Sequence, residues 1–158
     1  MNAKTLVAAL VLGAALSLTA PAQCSIAGMG FTPYGTGCSF LFSAPALGGT
    51  FDPASCTATL NFGFSPSCCN TFLASRYLIV GNSATQTTIP ISPGCTLLAA
   101  PDLILELGPV FSDQIAIPIP SWMPPGLTFY LQGANLYFTT IGFSYDLETT
   151  NGLLVTTS

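Results

Sequence analysis

The chain of 158 residues contains no histidine, only two basic residues and six acidic ones, so 5% of its residues are charged, against about 25% in an ordinary soluble domain. Each shortage excludes something. Without histidine, neither a Ser-His-Asp nor a Cys-His nucleophile system can be built, and His-based zinc sites fall with them. With Lys4 and Arg76 as the only cations, the counterion displacement that drives nucleic-acid binding has almost nothing to act through, so no nucleic-acid partner is expected. Long apolar runs are also missing beyond the N-terminus. Gly, Pro, Ser or Asn interrupts each within about a dozen residues, short of the ~20 that a spanning helix needs, so the chain is not expected to be integral to a membrane.

The N-terminus is different. Residues 1–24 read MNAKTLVAALVLGAALSLTAPAQC: one cation at Lys4, an apolar stretch from Leu6 to Leu18, then Ala20-Pro21-Ala22. This is the layout of a secretory signal peptide over residues 1–22, cleaved after Ala22. A lipid anchor on Cys24 is the competing reading, but Gln23 stands where a lipoprotein peptidase wants a small residue. Residues 23–158 then form one secreted domain with Arg76 as its single base. A chain of this length can bury roughly 70% of its unfolded surface, enough for a true core.

All six cysteines, Cys24, Cys38, Cys56, Cys68, Cys69 and Cys95, follow the expected cleavage site. An even number on the oxidising side of a membrane predicts three disulfides. No CxxC pair is present to favour zinc, so neither a metal nor another cofactor is expected. The pairing stays open among the six, except that adjacent Cys68 and Cys69 in an extended segment point opposite ways and are expected to take different partners. The staples fall in the N-terminal half, and the chain from Thr96 onward must hold by packing and strand pairing.

What is abundant is period-two alternation. Residues 113–120 set Ile115, Ile117 and Ile119 against Gln114, Ala116, Pro118 and Pro120, a half-buried strand whose prolines place it at a sheet edge. Thr57 to Phe64, Leu103 to Leu107 and Leu127 to Gln132 alternate likewise. Tyr77 to Val80 is a continuous apolar run suited to a central strand. Thr87 to Ser92, Asn135 to Thr140 and Gly152 to Thr157 are shorter candidates. About eight to ten strands punctuated by Gly, Pro, Asn and Ser predict an all-β chain, an antiparallel β-sandwich or jelly roll.

Several segments together resemble a known module: Tyr34-Gly35-Thr36-Gly37-Cys38, Tyr77-Leu78-Ile79-Val80-Gly81, Pro93-Gly94-Cys95-Thr96-Leu97-Leu98, Ile117-Pro118-Ile119-Pro120, and residues 126–133 (GLTFYLQG), closing on Asn151-Gly152-Leu153. The module is an uncharacterised β-rich unit that recurs in secreted proteins of planctomycete-like and myxobacteria-like bacteria, often at the C-terminal end of larger extracellular chains. The resemblance spans most of residues 34–157 and implies a β-rich extracellular fold, with no activity or site residues to carry over. This chain departs from it in Ser121-Trp122-Met123-Pro124-Pro125, where polar residues are usual.

Few residues offer chemistry. Asp102, Glu106, Asp113, Asp146 and Glu148 lack any spacing that marks a carboxylate pair for catalysis and read as solubilising edge charges. Asp146 and Glu148, two apart on a strand, share a face and offer a weak calcium site, but a solvated strand end accounts for them more simply. Arg76 is expected to bond a structural carboxylate. Trp122 either caps one end of the sandwich or, on its proline-stiffened loop, offers a flat face for a sugar ring or a protein, with Met123 and Tyr130 as further binding candidates. The sequence thus points to a non-catalytic extracellular structural or interaction protein whose partner is itself or another cell-surface protein, through the unguarded final strand or the Trp122 loop. A carbohydrate-binding module that takes polysaccharide on an aromatic loop is the alternative, and an enzyme is not expected.

Overall fold

The computed structural model describes residues 24–40, 43–63, 70–92, 94–109, 112–140 and 142–158; the expected signal peptide and the Cys68-Cys69 pair lie outside them. Ten strands make up the described chain, and it contains no helix: β1 (Met29–Tyr34), β2 (Leu47–Asp52), β3 (Thr57–Phe62), β4 (Thr71–Gly81), β5 (Ala84–Thr88), β6 (Thr96–Ala99), β7 (Leu103–Gly108), β8 (Gln114–Pro118), β9 (Thr128–Thr139) and β10 (Ser144–Thr157). Every strand pairing is antiparallel.

Three layers result. A five-stranded sheet runs β1-β10-β9-β4-β7, a three-stranded sheet β2-β3-β8 covers one of its faces, and the β5-β6 hairpin lies on the other. Between the two larger sheets, Leu47, Leu60 and Phe62 meet Leu78, Leu131, Leu153 and Val155. Alternation sets this up: Phe129 and Leu131 of β9 turn to that core, while Tyr130 and Ala134 turn to the hairpin. Gln132 faces the hairpin too and holds it, accepting from the Leu98 N–H at 2.8 Å and donating to the Thr96 carbonyl at 3.0 Å.

The segments Leu127 to Gln132 and Asn135 to Thr140, read separately in the sequence, are one strand. Gly133 interrupts the apolar pattern because a Cβ there would stand 2.7 Å from the Phe62 ring. The Ile-Pro-Ile-Pro strand is an edge as expected, since β8 pairs only with β3. The run Tyr77 to Val80 is central, flanked by β9 and β7. The segment Thr87 to Ser92 is strand only to Thr88; beyond it the Ser92 N–H bonds the Ile89 carbonyl at 3.1 Å and closes a turn.

One expectation is overturned. The final strand is not an unguarded edge: Gly152 to Thr157 forms the second half of β10 and lies between β1 and β9, with Val155 fully buried. Its cover is β1, whose sequence MGFTPY carries Gly30 and Pro33 and does not announce a strand.

Two disulfides lie among the described residues, Cys24–Cys56 and Cys38–Cys95. The first ties the start of the described chain to the β2-β3 turn, and the second ties the β5-β6 hairpin to the segment that bridges β10 at Thr149.

Candidate functional site

The inner face of the five-stranded sheet changes character along its length. At one end, strand register places Arg76 opposite Asn135 and Asn135 opposite Glu148, a polar row across β4, β9 and β10 in which all three side chains are 0% exposed. Arg76 donates through Nε to Asn135 Oδ1 at 3.1 Å and through Nη1 to the Ser112 carbonyl at 2.8 Å, with its guanidinium over the Phe62 ring. Burial lowers its pKa, and attraction to Tyr137 and Asp113 opposes that shift. Ser39 and Tyr137 both donate hydroxyls to the Glu148 carboxylate. Burial, followed by the charge of Glu148, pushes the Tyr137 phenol well above its usual range.

Glu148 is therefore not a solvated strand-end charge, as the sequence suggested, but the anionic end of a buried row. Asp146 shares its face yet has its own partner, the Thr139 hydroxyl at 3.2 Å. Among the described residues no three His, Cys, Asp or Glu side chains come together to hold a metal ion. Chemically the row suits strand registration, because a one-residue slip of any of the three strands would swing its polar group to the opposite face.

The proline-rich loop is firmly seated. The Met123 N–H bonds the Pro120 carbonyl at 2.9 Å, Ser25 donates its hydroxyl to the Met123 carbonyl, and Thr157 Oγ1 donates to the Pro124 carbonyl at 3.0 Å. Trp122 projects from it 77% exposed, so it does not cap the sandwich. Met123 turns inward to the apolar end of the core. Tyr130 lies on the opposite face of the five-stranded sheet, edge-to-face with Tyr34 at 5.8 Å. The three binding candidates from the sequence are not brought together.

What the structure does bring together lies on one side of the sandwich. The five-stranded sheet overhangs the three-stranded one, and its edge is β7. Leu103, Leu105 and Leu107 point inward and Ile104 outward, yet Leu103, Ile104 and Leu105 are 50%, 56% and 40% exposed. The single charge of the strand, Glu106, accepts a hydrogen bond from the Ser75 hydroxyl at 2.8 Å. Beside Leu105 an open cavity of about 200 Å³ runs between the sheets, floored by Leu60, Leu78 and Leu131 and rimmed by Ile117, Pro118 and Met123. The sequence marked Leu103 to Leu107 as a strand; that it is an edge depends on strand order, which alternation does not encode.

No protein-family model, curated protein or solved structure matches this chain.

Proposed function

We propose that this protein is a secreted, non-catalytic subunit of an extracellular assembly, joining copy to copy through the free edge of β7. The observation that carries this reading is the exposure of three consecutive large apolar residues, Leu103, Ile104 and Leu105, on an edge strand. Natural edges are usually guarded by proline, lysine or bulges. The other edges of the two larger sheets fit that rule: β1 carries Pro33, β8 carries Pro118, and β2 presents no exposed large apolar side chain. In contrast, β7 contains neither proline nor lysine, and its one irregularity, opposite Arg76 and Tyr77, falls at Leu107, past the three exposed residues.

The strand also suits its own copy. Antiparallel pairing of two β7 strands about Leu105 sets Leu103 opposite Leu107 and Ile104 opposite Glu106, so each inner face is continued by leucine, and the unpaired backbone groups of both edges are satisfied. The scarcity of charge removes the repulsion that ordinarily keeps copies apart. A signal-peptide-like leader and two disulfides support an oxidising compartment.

Light scattering on the purified protein at micromolar concentration tests the proposal. Dimers or larger species are the expected result, reverting to monomer in Leu103→Lys with Ile104→Lys, both at exposed positions. A monomeric parent protein across that range contradicts it.

The exposure of Trp122 favours a second reading, a carbohydrate module using that one ring as its platform. Its test is retention on the polysaccharide of the producing cell's surface, lost in Trp122→Ala and unchanged in the β7 variant.

A further inference from the structure

The cavity beside β7 points to a ligand, independently of the edge pairing. All fourteen described residues that line it are apolar, and among the described residues no polar side chain reaches it. It opens to the surface at its rim, where Leu105, Pro118 and Pro120 are exposed. Water gains nothing there, because a buried water needs two to four polar partners. A peptide does no better: each backbone N–H and C=O drawn in would lose its hydrogen bonds without replacement. The occupant that these walls accept is one with no polar atom along its buried length.

Size and charge narrow the class further. A cavity of about 200 Å³ holds roughly seven water volumes, less than a drug-sized site and suited to the tail of a linear molecule whose head stays outside. The chain is net negative, −4 overall, and of its two cations Lys4 lies in the leader, while Arg76 is wholly buried in the polar row at the other end of the inner face. An anionic head at the rim would find no counter-charge. We propose that the cavity binds the hydrocarbon tail of a neutral-headed linear lipid, such as a long-chain alcohol or a neutral acyl ester, with the tail between Leu60 and Leu78 and the head in water beside Leu105 and Pro118.

The test uses the environment-sensitive probe N-phenyl-1-naphthylamine, displaced by a series of 1-alkanols. The expected results are probe fluorescence on binding and displacement that tightens about fourfold per methylene from octanol to decanol, with dodecanol displacing more strongly than dodecanoate at pH 7. Ala58→Leu, which fills the cavity from β3, is expected to weaken decanol binding at least tenfold with the fold retained by circular dichroism. Should that variant fail to fold, Leu105→Gln at the exposed rim sets an amide in the wall and is expected to weaken it similarly. Absence of probe binding, or displacement that neither chain length nor the folded variant changes, would show a packing void only and overturn the proposal. Dodecanoate binding as tightly as dodecanol would overturn the neutral-head assignment.

Discussion

The two sides of the sandwich are finished differently. On one side β1 and β2 close on each other: Gly49 of β2 leaves room for the Phe31 ring, where a Cβ would lie at 2.4 Å. Asn151, in the β10 bulge, makes a two-way bond to the Leu47 backbone of β2, accepting from its N–H at 2.7 Å and donating to its carbonyl at 3.1 Å. On the other side β7 and β8 do not close. Leu105 and Ile117 line walls of an open cavity, and leucines that face inward remain exposed because the smaller sheet ends short of them. The same sheet thus has one edge completed within the chain and one whose completion, on our reading, comes from outside it.

The largest expected effect concerns the Cys38–Cys95 staple, which ties the β5-β6 hairpin to the segment that bridges β10 at Thr149. Cys38–Cys95 spans 57 residues, and replacing both cysteines by serine is expected to lower unfolding free energy by about 4 kcal/mol in the chain-entropy account. Denaturant titration reads this, and the association of any protein that remains folded should persist, because β7 lies outside the stapled region. Next comes a direct contrast of leucines. Leu153, 0% exposed beneath the closed side, should cost about 3 kcal/mol on truncation to alanine, whereas Leu103→Ala on the open side should cost under about 1 kcal/mol. Equal costs would mean that the open side is packed in solution as tightly as the closed one.

The smallest effect is a pH dependence at the β2-β3 turn on the closed side. The Ser55 hydroxyl and Ala54 N–H donate to Asp52, and they hold its carboxyl below the usual range. A depressed folded pKa means that this stabilisation is present above the unfolded value of about 4 and is lost as pH falls through the folded one. Asp52→Asn should therefore lower stability slightly at neutral pH and change it little once the pH has fallen through the folded pKa, so that the fall in stability below about pH 4 is flattened, as thermal melts across that range would register.

Much of the fold was legible because alternation reports directly on burial. Ile115, Ile117 and Ile119 gave both a strand and, through Pro118, its edge position; Leu60 and Phe62, and Phe129 and Leu131, gave two core faces. The misses have a common cause, which is that period two says which residues share a face and not which strand lies beside which. The strand Gly152 to Thr157 looked exposed because its partner β1, with Gly30 and Pro33, has the composition of a loop. The polar row was not visible: Arg76 was expected to bond a structural carboxylate and Glu148 read as a solvated strand end, whereas their common neighbour Asn135 follows from register that only the assembled sheet defines. For Trp122 the sequence left capping and exposure both open, since local composition does not tell which way a turn projects.

The central claim is that β7 is an edge completed by another copy, and amide hydrogen exchange measured as a function of protein concentration tests it most directly. The account predicts that protection of the Leu103 to Leu107 amides rises as concentration increases through the micromolar range, while the amides of β8 and of the buried strand β10 keep the same rates. Exchange in β7 that is fast and independent of concentration, in a protein whose other strands are protected, would contradict it.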